Sequence, residues 1–238
     1  MRFLRVVVII GVVLGALFVG VDRWASGYAE NQLAERIQAR QGLAGSSEVE
    51  IHGFPFLTQL AGRELDRVDL KLRGVEIAAE GRKTRLSELD ASFRSVTLDG
   101  DYSGGTAQRA EGSALITYAD LTAASQSGAT LAYGGAPGKV KVTASVDLLG
   151  KTLTHSVVAT ITLQDAPGGK GGKIVRVRAD EVPGGSVPLV EKTIRKKTDF
   201  DRDLGSGMPA GLQLSSLTSD EAGVHLTLGG SNVVVAGS

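Results

Sequence analysis

The chain has 238 residues, 42% of them hydrophobic, enough apolar mass for one large domain or two small ones. Lysine plus arginine and aspartate plus glutamate number 26 each, so no net field favours nucleic acid, and with no cysteine there is no disulfide framework, thiolate chemistry or lipid attachment through a modified cysteine. The 32 glycines and few aromatics point to many turns between strands rather than to a helical bundle.

The chain opens on Met1-Arg2-Phe3-Leu4-Arg5, and Val6 to Val21 then runs without a charged or strongly polar side chain until Asp22 and Arg23. A helix over residues 3–21 rises ~1.5 Å per residue to roughly 28 Å, close to the ~30 Å hydrocarbon core of a bilayer. The arginines on the N-terminal side favour keeping that end in the cytoplasm. Residues 1–21 are therefore expected to be a single-pass transmembrane signal-anchor and residues 22–238 an extracytoplasmic domain. A cleaved signal peptide, leaving a secreted protein, follows the same logic. Ala25-Ser26-Gly27 nearly supplies its small residues, although Asp22, Arg23 and Trp24 fit such a site poorly. A buried core helix fits worse, because the run has no polar face.

Residues 22–41 read as a continuation of this helix, with Trp24, Tyr28, Leu33 and Ile37 near one face and Ala25, Ala29 and Ala34 beside them. Gly42 is a natural stop and Gly27 a candidate flexible point. From Glu48 the period becomes two, with Val49 and Ile51 alternating with polar residues; Gly53-Phe54-Pro55-Phe56-Leu57 then interrupts as an apolar loop. Val68, Leu70 and Leu72 alternate with Asp69, Lys71 and Arg73, and at Gly74 the phase slips to Val75, Ile77 and Ala79, the mark of a bulge or bend. Leu86, Leu89, Ala91, Phe93, Val96 and Leu98 carry another strand region before a turn cluster at 99–106. Residues 118–127 read as a short helix with Asp120 as its cap. Residues 130–133 are short and extended, and 139–148, 153–163 and 173–179 form an antiparallel meander. Residues 187–197 read as a second helix opened by Pro188, and 212–217, 224–228 and 233–235 as closing strands.

The expected class is α+β: a long N-terminal helix packed on a large, highly curved antiparallel sheet, with one more substantial helix. Roughly ten strands offer more apolar surface than so few helices cover, so either the sheet closes on itself or its concave face holds something apolar.

Chemistry is thinly represented. His52, His155 and His225 sit inside strand patterns without metal-ligand spacing and read as strand residues, so no metal and no cofactor is expected. No Gly-x-Ser-x-Gly elbow occurs. The glycine–lysine run at 168–173 fails as a phosphate loop because Pro167 and Ile174 stand where glycine and Ser/Thr belong. The run from Asp199 to Gly205 begins like a calcium loop, but its glycine falls one position late and Ala210 replaces the bidentate glutamate; it reads as a solvated turn after a helix. No catalytic residue is expected, and the chain is read as non-enzymatic. Lys192, Arg195, Lys196 and Lys197 are either a solvated helix face or a contact for anionic lipid headgroups. Phe54, Pro55, Phe56 and Leu57 either fold back onto the core or form an entrance lip that touches acyl chains or a bilayer surface.

The stretch Val-Glu-Ile-His-Gly-Phe-Pro-Phe-Leu-Thr-Gln-Leu from Val49 to Leu60 resembles the opening motif of an actinobacterial family of secreted or membrane-anchored proteins that includes the mycobacterial lipomannan elongation factor. The likeness continues through Val68-Asp69-Leu70, Gly74-Val75 and the run from Ala114 to Leu121. It ends with the run from Met208 to Leu214, Ala222-Gly223-Val224 and the run from Gly229 to Val233, covering essentially everything after the apolar segment. The resemblance implies a fold related to tubular lipid-binding proteins, in which a long helix lies against a highly curved sheet. It also implies the cell envelope and phospholipid or lipoglycan handling, and it carries no catalytic residue onto this chain.

The leading expectation is a membrane-anchored lipid-binding protein. Exposing an acyl chain to water costs ~0.8 kcal/mol per CH₂, on the order of 12 kcal/mol for sixteen carbons, and a tethered apolar groove removes most of that barrier. The expected groove lining is Trp24, Tyr28, Leu33 and Ile37 from the helix with Val68, Leu70, Leu72, Val140, Val142, Val157, Ala159 and Ile161 from the sheet. The alternatives are a non-catalytic scaffold that positions envelope biosynthetic enzymes, and a hydrolase or transferase with an unrecognised site.

Overall fold

The apolar run and the amphipathic segment after it form one uninterrupted helix, α1 (Arg2–Gln41), in a computed structural model that describes residues 2–41, 45–79, 82–125, 129–148, 151–166, 173–180, 195, 199–203 and 208–235. Its 40 residues span about 60 Å, and Gly27 does not interrupt it. Side chains from Ile9 to Val21 stand exposed all round.

Beyond α1 come β1 (Ser46–His52), α2 (Phe56–Gly62), β2 (Glu64–Ala79), β3 (Arg82–Leu98), β4 (Gly105–Thr117), α3 (Tyr118–Ala124), β5 (Thr130–Tyr133), β6 (Lys139–Leu148), β7 (Lys151–Asp165), β8 (Lys173–Ala179), β9 (Phe200–Asp203), β10 (Leu212–Ser219) and β11 (Gly223–Val235). The fold is α+β, but the strands make two antiparallel sheets rather than one. A six-stranded sheet has the order β1-β2-β3-β4-β11-β10 and a five-stranded meander the order β5-β6-β7-β8-β9. The six-stranded sheet stays open, with β1 and β10 as its edges.

Several local expectations change. Phe56 and Leu57 belong to the first turn of α2, so the apolar loop shrinks to Gly53–Pro55. Thr117, not Asp120, caps α3: its hydroxyl accepts from the Asp120 N–H, while the Asp120 carboxylate accepts from Ser87 and Thr117 hydroxyls at 2.8 and 2.7 Å. The last two expected strands fuse into β11. The calcium-like run enters β9 and pairs with β8, Phe200 opposite Val177, instead of forming a turn. The helix expected at 187–197 lies outside the described residues except Arg195. β4, central in the larger sheet, escapes sequence alternation because its inward positions are Ala107, Ala110, Gly112 and Ala114, too small to mark an apolar face.

Two rows of irregular backbone bend the larger sheet. At the first, β3, β4 and β11 each expose two consecutive residues side by side: Arg94-Ser95, Gln108-Arg109 and Ser231-Asn232. Ser95 and Asn232 take positive φ values of 49° and 51° there, and the inward side chains change parity across the row, from Phe93 to Val96 and from Ala110 to Ala107. This is how bulges turn a sheet. The second row is the glycine phase slip: Gly74 has φ 65° between the buried Leu72 and Val75.

α1 and the five-stranded sheet each cover part of the larger sheet's apolar surface. Ala25, Ala29, Ala34 and Ile37 of α1 pack with Val49, Ile51, Leu65, Val68, Leu70 and Phe93. At the other end Leu214, Val224, Leu226 and Leu228 pack against Val140, Val142, Val157, Ala159, Ile161, Val175 and Val177.

Candidate functional site

The junction between α1 and the domain is built on polar contacts. Asp22, the first charge after the apolar run, is 0% exposed. Its two carboxylate oxygens accept from the backbone N–H groups of Phe56 and Leu57 at 2.9 and 2.7 Å. Those are orphan donors at the start of α2, where Pro55 offers no side-chain cap. Gly53 turns the chain from β1 towards α2 at φ 112°, where a Cβ would stand 2.2 Å from the Gln59 Nε2. Further along α1, Glu30 accepts from the Ile51 N–H at 2.9 Å and the Ser47 hydroxyl donates to the Ala34 carbonyl at 2.8 Å. These contacts satisfy groups of β1, an edge strand, and cover an edge that would otherwise template pairing with another chain.

Midway across the larger sheet, Leu70, Ala91, Gly112 and Leu228 lie side by side in register on β2, β3, β4 and β11. Leu70 belongs to the helix-side core and Leu228 to the sheet-side core, whereas Ala91 and Gly112 belong to neither. On the opposite, polar face of the same row lies an open cavity of about 630 Å³, whose side-chain lining is the outward set that alternates with these four, among them Arg67, Asp69, Lys71, Asp90 and Glu111. Its volume falls within the ~300–1,000 Å³ usual for small-molecule sites.

The expected groove residues divide between places. Val68, Leu70, Leu72 and Ile37 meet on the helix side. Val140, Val142, Val157, Ala159 and Ile161 meet in the sheet-side core, each buried against the other sheet. Trp24 and Tyr28 do not join either: Trp24 is 71% exposed and stacks on Tyr28 with ring centroids 5.8 Å apart. At ~100° per residue they lie nearly opposite Ile37, so the face that meets the sheet is the alanine face instead. Leu33 is also exposed. Phe56 is buried and Leu57 packs on the core beside Asp22, whereas Phe54 is 51% exposed, with the Arg23 guanidinium 5.4 Å from its ring centroid. Pro55 is half-buried. Of the basic cluster, Lys192, Lys196 and Lys197 lie outside the described residues. Arg195 is engaged at home, donating to the Ala179 carbonyl at 3.2 Å and facing the Asp199 carboxylate at 3.5 Å.

Strand pairing also collects charge that no linear spacing announced. Asp69 accepts from Arg67 at 2.6 and 2.8 Å and meets His52 Nε2 at 2.9 Å, with Glu50 3.7 Å from the same imidazole nitrogen. The Arg67 guanidinium holds the Asp69 carboxyl down to about 2. Glu50, His52 and Asp69 could in geometry surround a cation, but the carboxylate of Asp69 already has its counter-charge in Arg67. Sequence reading missed Asp22 as a contact residue and the central Ala91–Gly112 gap; a lone acid closing an apolar run was the available signal for the first.

Fold and site together define an α+β protein with an exposed apolar N-terminal helix, compatible with a membrane anchor or a signal sequence, and a main sheet whose two apolar cores leave a small-residue gap between them. The chain belongs to the LmeA-like phospholipid-binding family, whose model matches residues 20–229. Neither the comparison with curated proteins nor that with solved structures returned a match.

Proposed function

We propose that this protein is held in a membrane by α1, with its domain on the extracytoplasmic side, and that it shelters the acyl chains of a phospholipid or lipoglycan precursor during envelope lipid handling. The observation that carries the reading is the small-residue gap at Ala91 and Gly112 on the inward face of the larger sheet, where the two apolar cores fail to meet. Membership of a phospholipid-binding family supports the lipid as ligand and a carrier rather than a catalyst. Leu70 and Leu228 border the gap from the two cores and present apolar surface suited to an acyl chain. Of the expected groove residues, Val68, Leu70, Leu72 and Ile37 stay closest to this site; the valine-rich set supports it from the neighbouring core.

The test is lipid extraction and native mass spectrometry of the full chain purified from membranes. A co-purifying phospholipid or lipoglycan near one per chain is the expected result. A lipid-free chain that also captures no lipid from vesicles overturns the reading; if it then co-purifies with an envelope enzyme, the scaffold role replaces it. Intact-mass measurement of the mature N-terminus tests the anchor: a chain beginning near Tyr28 means cleavage.

A further inference from the structure

The exposed apolar run passes directly into the folded domain. Val21 is 53% exposed and Asp22 is 0% exposed. No spacer intervenes, so a membrane that takes up residues 9–21 reaches the face of the domain beside Asp22. That face carries the Gly53–Pro55 loop, pinned to α1 because both Asp22 oxygens are bonded to the two residues that follow it.

The loop is apolar and turned outward. Phe54 is half exposed although its neighbour Phe56 is buried, and the Arg23 guanidinium lies over its ring. Trp24 and Tyr28 stand exposed on the same stretch of helix. Exposed aromatics paired with a cation just past an apolar helix are the composition of a membrane interface, where ring and guanidinium each find a suitable layer. Tyr102, in the turn between β3 and β4 at the same end of the sheet, also lies under a guanidinium, that of Arg63 at 5.7 Å. It is flanked by the exposed carboxylates Asp99 and Asp101, which disfavour entry into lipid. The two turns are therefore not equivalent.

We propose that the Gly53–Pro55 loop, latched to α1 through Asp22, inserts Phe54 into the headgroup–acyl boundary of the bilayer that holds α1, seating the domain on the membrane at a fixed orientation with the β3–β4 turn in water. The inference rests on the anchor reading given above. It adds that anchor and loop act as one unit: the polar latch turns the direction of the helix into the tilt of the domain.

With no cysteine of its own, the full chain accepts single spin labels at Phe54→Cys and, as the contrasting site, Tyr102→Cys. Both positions are exposed, so neither substitution removes a core contact. The chains are reconstituted in phosphatidylcholine vesicles, and collision with oxygen is compared with collision with an aqueous nickel chelate. Brominated phosphatidylcholine quenching of Trp24, the sole tryptophan, reports separately whether α1 is inserted. The expected result is an oxygen-to-nickel accessibility ratio several-fold higher at 54 than at 102, with Trp24 quenched by lipid. Equal aqueous accessibility at both sites with Trp24 still quenched overturns the docked loop and leaves the anchor standing. Unquenched Trp24 overturns both. A label at 54 shielded from both agents assigns the loop to a protein contact and overturns the proposal.

Discussion

The helix-covered end and the sheet-covered end of the six-stranded sheet are held by different kinds of contact. At the helix end the apolar partners from α1 are mostly alanines, which bury little surface but allow close approach. Position is set there by directional bonds: Asp22 to Phe56 and Leu57, Glu30 to Ile51, Ser47 to Ala34. At the other end β-branched side chains from three strands, β6, β7 and β8, face Leu214 and Val224 in a core filled by volume. Hydrogen bonds fail when geometry shifts slightly, whereas apolar packing is non-directional and tolerates repacking. The first end can therefore fix how an anchor meets the domain, and the second can hold the fold while the row between them stays open.

The contrast can be broken most severely at Asp22. Asp22→Ala leaves two backbone donors without their charged acceptor and is expected to cost about 3–4 kcal/mol in urea unfolding, with Asp22→Asn losing roughly half of that. A cost below about 1 kcal/mol would mean that the latch is incidental. In the volume-filled core, Val140→Ala should cost about 2 kcal/mol through the cavity it leaves, and amide exchange should quicken across the five-stranded sheet but not along β1.

A smaller effect is expected at Asp69. Its carboxyl is held at about 2 when folded, chiefly by the Arg67 hydrogen bond, against ~3.9 unfolded. The depressed value contributes stability above the unfolded value, and that contribution is lost as pH falls through 4 towards 2. The loss should be about 1–2 kcal/mol after solvent screening, and Asp69→Asn should flatten that part of the pH profile. Smallest in stability is Ala91→Phe, which fills the gap between the cores: unfolding should change by less than about 1 kcal/mol while co-purifying lipid falls several-fold. Lipid retained at the native level would move the binding site elsewhere.

Much of this architecture was legible because period-two alternation survives wherever inward residues are large. β1, β2 and the β6–β8 meander announce themselves through Val49, Ile51, Val68, Leu70, Val140, Val142, Val157 and Ile161. β4 did not, since Ala107, Ala110, Gly112 and Ala114 carry almost no hydrophobic contrast. The same smallness that hid the strand makes the gap that is the candidate site. The bulge at Gly74 was readable because a glycine coincided with a phase slip, whereas the row through Ser95 and Asn232 was not, because no glycine marks those turns of positive φ. Trp24 and Tyr28 were drawn to the sheet by their size, yet helical angle places the small alanines there.

From the sequence alone came the apolar helical run, the amphipathic segment that continues it, the antiparallel alternation and the likeness to a lipid-handling family, all of which depend on local pattern. Only the tertiary structure decided that the strands divide into two sheets, that Asp22 bonds across to Phe56 and Leu57, and that the two cores leave Ala91 and Gly112 between them. Those outcomes depend on which residues meet after long separations in sequence. Alternation says that each strand has an apolar face but not which partner covers it.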